Sequence, residues 1–521
     1  MTGGTGRSTC WRFRPACVVA ALLLSGALAC TASKIVDHPS RLEFPSLVFT
    51  PPESEKHRHV LENGTAVYVV EDHSLPLIDV EVFIRAGRYL DPPGQEGLAA
   101  AVGHQLRAGG TATYSPEAFD EEVDFLAAEI SSVLASTQGS VSFNCLTKDL
   151  DRVLELFFDM LEHPRFESSR LDLYKDQLIQ TLGRRNDSTS AIEAREWSRL
   201  MRGDRHFSVD RVTKSSVERL DREKLTAFHK AHVHPQNFII SVSGDVSAAT
   251  ILAKLESHMK GWAAPAPNDT GGTGGAVSGN TPASIPKPNH EPQRGVYLVN
   301  KSDVNQGRVS LGHLAVRRDH PDYFPLQIMN HILGGGGFTS RIMSRVRSDE
   351  GLAYTARSQY DFGVYYEGTF KAYFQSKSPS VAKALQIVVE EIEKVRTEKA
   401  AEHEVAEAIS YFVGIFPRRF ATAALVASTF AEDELTGRPS DFWNTFREQI
   451  QSVQVGDVLR VAKEHLHPDG LVVLVVGNAE DILMGNAATP EYSLQKIAGT
   501  GPIQTIPLPD PLTLEYPNTD S

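Results

Sequence analysis

In residues 97–111, Gly-Leu-Ala-Ala-Ala-Val-Gly-His-Gln-Leu-Arg-Ala-Gly-Gly-Thr, His104 is the only classical metal ligand. A helical metal grip needs a second donor one turn away, because residues four apart share a face. Ala100 occupies that place, and Gly103 stands where a carboxylate could take a proton from metal-bound water. Neither offers a donor atom in any rotamer. A lone His104 cannot hold zinc, since such sites use three or four protein ligands. It is expected to be a buried or half-buried helix histidine. Other stretches invite chemistry and do not sustain it. His403-Glu-Val-Ala-Glu407 lacks the second His of H-E-x-x-H and reads as a charged, exposed face. Gly334–Gly337 are not followed by Lys-Ser/Thr, so they serve a tight turn and close backbone approach rather than a phosphate. His232-Val-His234-Pro235 and His465-Leu-His467-Pro468 each end a helical segment ahead of a strand-like run, which suits turns and caps better than a metal.

Gly97-Leu98-Ala99, His104 and Gly109-Gly110-Thr111 form a frame that resembles the zinc helix of the pitrilysin/insulinase-type peptidases, whose inverted motif is H-x-x-E-H. On that frame the three motif positions fall on Ala100, Gly103 and His104. The family's third ligand, a Glu on a later helix, falls at Thr181, in the run Gln177–Gly183, which has no Glu. The resemblance therefore implies a degenerate zinc site and no metal in this chain. It covers residues 55–485, and includes Leu61-Glu-Asn-Gly64, Pro76 and Ala86-Gly87. Further on, Leu333-Gly-Gly-Gly-Gly-Phe-Thr-Ser-Arg341 leads to Arg347-Ser-Asp-Glu-Gly-Leu-Ala-Tyr354. Active members carry an Arg and a Tyr at this spacing. The Tyr hydroxyl donates toward the developing oxyanion and the Arg binds a substrate carbonyl. One pre-placed donor of that kind is worth roughly 3–4 kcal/mol. By resemblance Arg347 and Tyr354 take these roles; the plainer alternative is a solvated helix end followed by a packed strand residue.

Some bacterial members of this family pair a zinc-bearing subunit with a zinc-less one that keeps the Arg and Tyr. The resemblance thus implies a homologous partner that carries the zinc, and a peptide or unfolded-protein substrate that adds a strand to a sheet edge. A binding or scaffold role without proteolysis is the alternative from another class. An autonomous zinc peptidase with displaced ligands is a further alternative, but no other set of three ligands stands at metal-site spacing.

The elements that must position these residues come in two copies. The two His-x-His-Pro segments recur a domain length apart, as do His104-x-Leu-x-x-Gly-Gly110 and His331-x-Leu-x-x-Gly-Gly337, so the repeat unit is a whole domain. Alternating runs at Ala66–Val70, Leu77–Ile84, Val296–Val299 and Arg308–Leu314 predict strands, with Asn63-Gly64 as a hairpin-like entry. Amphipathic periodicity predicts helices at 97–107, 116–127, 148–162, 168–185 and 190–201, then near 321–333, 380–396 and 402–416. This is an α+β pattern: two homologous domains, each an antiparallel sheet packed with helices, forming a clam-like cleft. The expected boundaries are a signal at 1–29, a tether at 30–52, domains at 53–262 and 293–487, a flexible linker at 263–292 and a Pro-rich tail at 488–521.

With 521 residues, 41% hydrophobic, the chain is long enough for two large cores. A net charge of −13 with no basic patch argues against nucleic acid. Arg7, Arg12 and Arg14 precede the apolar run Val18–Ala29, too short for a comfortable span and shaped like a secretory signal. Ala27-Leu28-Ala29-Cys30 resembles a lipobox, so Cys30 is the expected lipid anchor of an exported, periplasm-facing protein of the bacterial envelope; simple cleavage after Ala29 is the alternative. Cys10 and Cys17 lie in the signal, which leaves Cys145 unpaired, as a core thiol.

Overall fold

The computed structural model describes residues 49–262 and 284–517. The signal, Cys30, most of the tether and linker residues 263–283 lie outside the described residues. The first half begins with β1 (Arg58–Val60), β2 (Ala66–Glu71) and β3 (Leu77–Ile84), then α1 (Leu98–Ala108) and α2 (Pro116–Phe125). It continues with β4 (Glu129–Leu134), β5 (Gly139–Leu146), α3 (Leu150–Glu162), α4 (Ser168–Gly183) and α5 (Thr189–Arg202). It closes with α6 (Arg222–His232), β6 (Phe238–Gly244) and α7 (Ala248–Met259). The second half repeats this plan with β7 (Gly295–Asn300), β8 (Gln306–Leu314), α8 (Tyr323–Asn330), β9 (Ala353–Asp361) and β10 (Thr369–Lys377). Its longer helices follow: α9 (Val381–Thr397), α10 (Glu402–Ile415), α11 (Ala423–Thr436), α12 (Phe442–Ser452) and α13 (Val455–His465). β11 (Val472–Gly477) and β12 (Ile503–Ile506) complete it.

Local chemistry accounts for these elements. α3 buries Leu150, Val153, Leu154, Phe157, Phe158 and Leu161, a stripe at helical period. Ser115, Ser188, Asp221, Ser247 and Thr422 cap α2, α5, α6, α7 and α11 by accepting a backbone N–H in the first turn. β5 alternates buried and half-buried residues, and Cys145 lies on its buried side. Burial pushes that thiol up to about 12, which keeps it protonated and inert.

Each half contains one six-stranded sheet, in the orders β1-β2-β6-β3-β5-β4 and β12-β7-β11-β8-β10-β9. The sheets are not antiparallel throughout. β6 pairs parallel with β2, and β11 pairs parallel with β7. Both strands arrive after helical crossovers, and such a connection returns the chain in its original direction. β12 also pairs parallel with β7. The Pro-rich tail thus supplies an edge strand. Beyond it, the Pro509 and Pro511 carbonyls accept from Asn186 and Arg185, and the Tyr516 hydroxyl meets Glu196 at 2.8 Å. The end of the linker is also pinned, since His206 bonds the Pro286 carbonyl and His290 the Leu200 carbonyl.

The two halves are interlocked rather than merely facing. α5 of the first half buries Ile192, Trp197 and Met201 against Tyr297, Val299, Val472, Leu474 and Val476 of the second sheet. α11 of the second half covers β2 and β6 of the first. A sheet buries only one face on its own helices, so each second face needs a cover, and here the other half supplies it. Each exchanged helix carries a carboxylate that bonds the sheet it covers. Glu193 accepts from Ser310 and Lys371 at 2.6 Å and from Arg308 at 3.3 Å. Glu434 accepts from Tyr68 at 2.6 Å and from Arg58 at 2.8 Å. Space between the first sheet and the start of α11 forms a cavity of about 360 Å³, lined by Asp79, Glu81, Glu129, Asn144 and Leu425 among others.

Burial holds His229, His232 and His313 down to about 4, against an ordinary 6.5. The unfolded chain takes up these protons as pH falls through 6.5, whereas the folded chain declines them until about 4. Stability contributed by the neutral rings is therefore complete above 6.5 and lost progressively down to 4. The urea midpoint is expected to be clearly lower at pH 4.5 than at pH 7; equal midpoints would contradict the burial of these rings.

Candidate functional site

α1 carries three of the degenerate zinc positions. The Asp91 carboxylate starts the helix, accepting from the backbone N–H of Gly97 at 2.8 Å and of Ala99 at 2.7 Å. Burial raises this carboxyl to about 6 against the lowering effect of those two bonds. Gly97 sits at φ +100, a left-handed conformation that favours glycine. His104 is neither buried nor half-buried but exposed. Its ring lies against Tyr174 of α4, centroids 4.5 Å apart, and its Nδ1 is 3.3 Å from the Gln105 amide. The helix points it outward, and partial desolvation by its neighbours lowers its pKa. Ala100 is half-buried, and Thr181 is exposed on α4 with its hydroxyl turned back to the Gln177 carbonyl at 2.9 Å.

Gly103 is the decisive position. A Cβ built there would lie 2.3 Å from the Leu134 backbone N and 3.0 Å from the Val133 carbonyl carbon, so α1 is pressed against edge strand β4. Arg107 fastens the same contact one turn on, donating to the Ile130 carbonyl at 3.1 Å. The family's carboxylate has no room at this point, and the residues present do not fit the family's zinc. The approach of α1 also occupies part of the β4 edge that an added peptide strand would need.

Among the described residues, one other group could bring three ligands together. His320, Asp322 and His465 have ligand atoms within 4.8 Å of one another. Asp322 is already committed: Arg460 grips both of its oxygens at 2.7 and 3.1 Å, and His465 bonds one at 2.8 Å. These charges hold its pKa down to about 2. The group is an ion-pair knot joining α8 to α13, and it explains His465 as a helix-end contact. His234 and Asn237 shape the corresponding turn in the first half, where Asn237 donates to the His232 carbonyl at 2.9 Å.

The second half brings Arg347 and Tyr354 together. Arg347 lies in a π-helical turn, Ser344–Asp349, and Tyr354 near the start of β9, where the register with β10 shifts. π turns and bulges re-aim side chains and concentrate at functional sites. The guanidinium carbon of Arg347 stands 4.6 Å from the Tyr354 ring centroid and 4.6 Å from that of Phe338. Tyr354 is 81% exposed, so the packed-strand alternative does not describe it. Phe338 was visible in sequence only as the residue after four glycines. Tyr174, Glu193 and Glu434 left no sequence signal, since their partners lie in distant segments. Among the described residues no hydrogen bond or ring contact joins the Arg347–Tyr354 pair to α1.

Comparison with known proteins gives this arrangement its context. Residues 66–201 match the family described as Insulinase (Peptidase family M16), and residues 219–412 match Peptidase M16 inactive domain. The Helicobacter pylori protein named Non-peptidase homolog YmxG is 22% identical over 431 residues, 81% of this chain and 94% of that protein. The Bacillus subtilis protein named Uncharacterized zinc protease YmxG is 21% identical, over 63% of this chain and 77% of that protein. Among solved structures, a peptidase M16 inactive domain from Pseudomonas fluorescens superposes with a TM-score of 0.69 at 22% identity, covering 81% of this chain and 97% of that one. The periplasmic protease PqqL from Escherichia coli gives 0.66 at 14% identity, covering 89% of this chain and 50% of that one. The chain belongs to the insulinase (M16) peptidase family.

Proposed function

We propose that this chain is the non-zinc subunit of a two-subunit M16 peptidase. A homologous partner supplies the zinc, its activated water and the general base. This chain supplies Arg347 to hold a substrate carbonyl and Tyr354 to donate to the oxyanion that forms as water attacks. The observation that carries the reading is a half-buried Arg347 stacked against an exposed Tyr354, in a chain whose Gly103 leaves no room for a side chain. Arg341 and Arg345, in the same segment, are paired with Glu404 and Glu391, whereas no carboxylate among the described residues lies within ion-pair distance of Arg347. An arginine held against two rings with its donors uncommitted suits a backbone carbonyl. Export to the periplasm with a lipid on Cys30 fits the N-terminal pattern, and the likeness to a protein titled a periplasmic protease agrees with it.

The test is purification of the full-length chain with and without a zinc-bearing homologue from the same genome. Alone, the chain should leave an internally quenched peptide uncleaved; together, the two should cleave it in a chelator-sensitive way. Within that pair, Tyr354→Phe is expected to lower kcat by about a hundredfold or more, the typical loss of one oxyanion donor. Unchanged turnover in both Tyr354→Phe and Arg347→Ala would favour a scaffold subunit instead. Chelator-sensitive cleavage by the isolated chain would overturn the proposal.

A further inference from the structure

Resting on that reading of the pair, we infer that Phe338 is a positioning residue that holds Arg347 in its carbonyl-binding pose. The guanidinium carbon lies 4.6 Å from the Phe338 ring centroid and 4.6 Å from that of Tyr354. A free surface arginine populates many rotamers; contact with two rings restricts it, and stacking on a ring face leaves in-plane N–H donors open. Phe338 is 68% exposed, so core packing does not account for the ring's position.

The backbone that presents Phe338 is built for close approach. A Cβ on Gly334 would lie 2.4 Å from the Ser358 N, and one on Gly336 would lie 2.8 Å from the His331 carbonyl. Gly337 takes φ +68, a left-handed value that side chains disfavour. The turn is then tied down, with Ser340 donating to the Gly337 carbonyl at 2.7 Å and Ser344 to the Phe338 carbonyl at 3.2 Å. The glycine run thus presses the loop onto α8 and β9 and leaves Phe338 standing over Arg347.

The interaction is cation–π, so it depends on an aromatic face and not on apolar bulk. In the reconstituted pair, F338L is expected to raise KM for a quenched peptide about three- to fivefold with little change in kcat. F338W should recover most of that loss. Y354F should instead act on kcat, and F338L should add nothing to R347A if the ring works through the arginine. Phe338 is exposed, so the thermal midpoint should stay near wild type in every variant. If R347A and Y354F impair turnover while F338L matches wild type, this inference falls and the reading of the pair stands. If R347A and Y354F also leave turnover unchanged, or the pair shows no turnover, both fall.

Discussion

Gly103→Ala is expected to destabilise the protein by about 2–3 kcal/mol, the cost of overpacking a closed contact. The sign is the telling part. In a helix interior alanine is normally better than glycine by roughly 0.5–1 kcal/mol. Gly414, inside α10, has nothing within 4 Å of a built Cβ, and Gly414→Ala should stabilise by that amount. At Gly103 the obstacle is the backbone of β4, 2.3 Å away at the Leu134 N, and backbone cannot rotate aside as a long side chain can. It follows that A100H with G103E should not rebuild a zinc site: the double variant should bind no zinc at α1 and unfold at lower urea than wild type. A Gly103→Ala protein as stable as wild type would show that α1 and β4 do not touch as described.

The second large effect is at Glu193, a side chain 4% exposed that crosses from α5 into the second half. Glu193→Ala leaves Lys371, Arg308 and Ser310 without their shared acceptor. Removing one partner of a buried pair costs about 3–5 kcal/mol. Lys371 and Arg308 keep 23% and 29% side-chain exposure and can partly rehydrate, so about 2–3 kcal/mol is expected here. Because each sheet is covered by a helix of the other half, loss of this lock should lower a single cooperative transition. Two separated transitions, or an unchanged midpoint, would contradict the helix exchange.

The candidate site was unevenly legible before the fold was known. The spacing of Arg347 and Tyr354 and the missing donors at Ala100, Gly103 and Thr181 are facts of residue type, and one-dimensional reading reaches them. The exposure of His104 is not: the same residue on the same helix could face the core or the solvent, depending on how α1 rotates against β4 and α4. The exchange of α5 and α11 was likewise invisible, because an amphipathic stripe records that a face is buried and not which sheet buries it. The tail was legible only in part, for a related reason. Its proline content marks it off from the second domain, whereas the edge strand that Ile503–Ile506 supplies beside β7 lies beyond local composition.

Residue types and short-range periodicity sufficed for the family resemblance, the two-fold repeat and most helix and strand positions, since these follow from side-chain chemistry and local spacing. The closure of α1 against β4 at Gly103 comes from the folded chain alone. Donor atoms are absent from Gly103 by identity, but the space they would need is absent because β4 fills it. The same holds across the repeat: residue types name Arg347 and Tyr354, whereas the π turn, the strand irregularity and the glycine-set ring of Phe338 decide that the arginine stacks on two exposed rings. Proximity between distant segments is a property of the folded chain, and residue types alone do not record it.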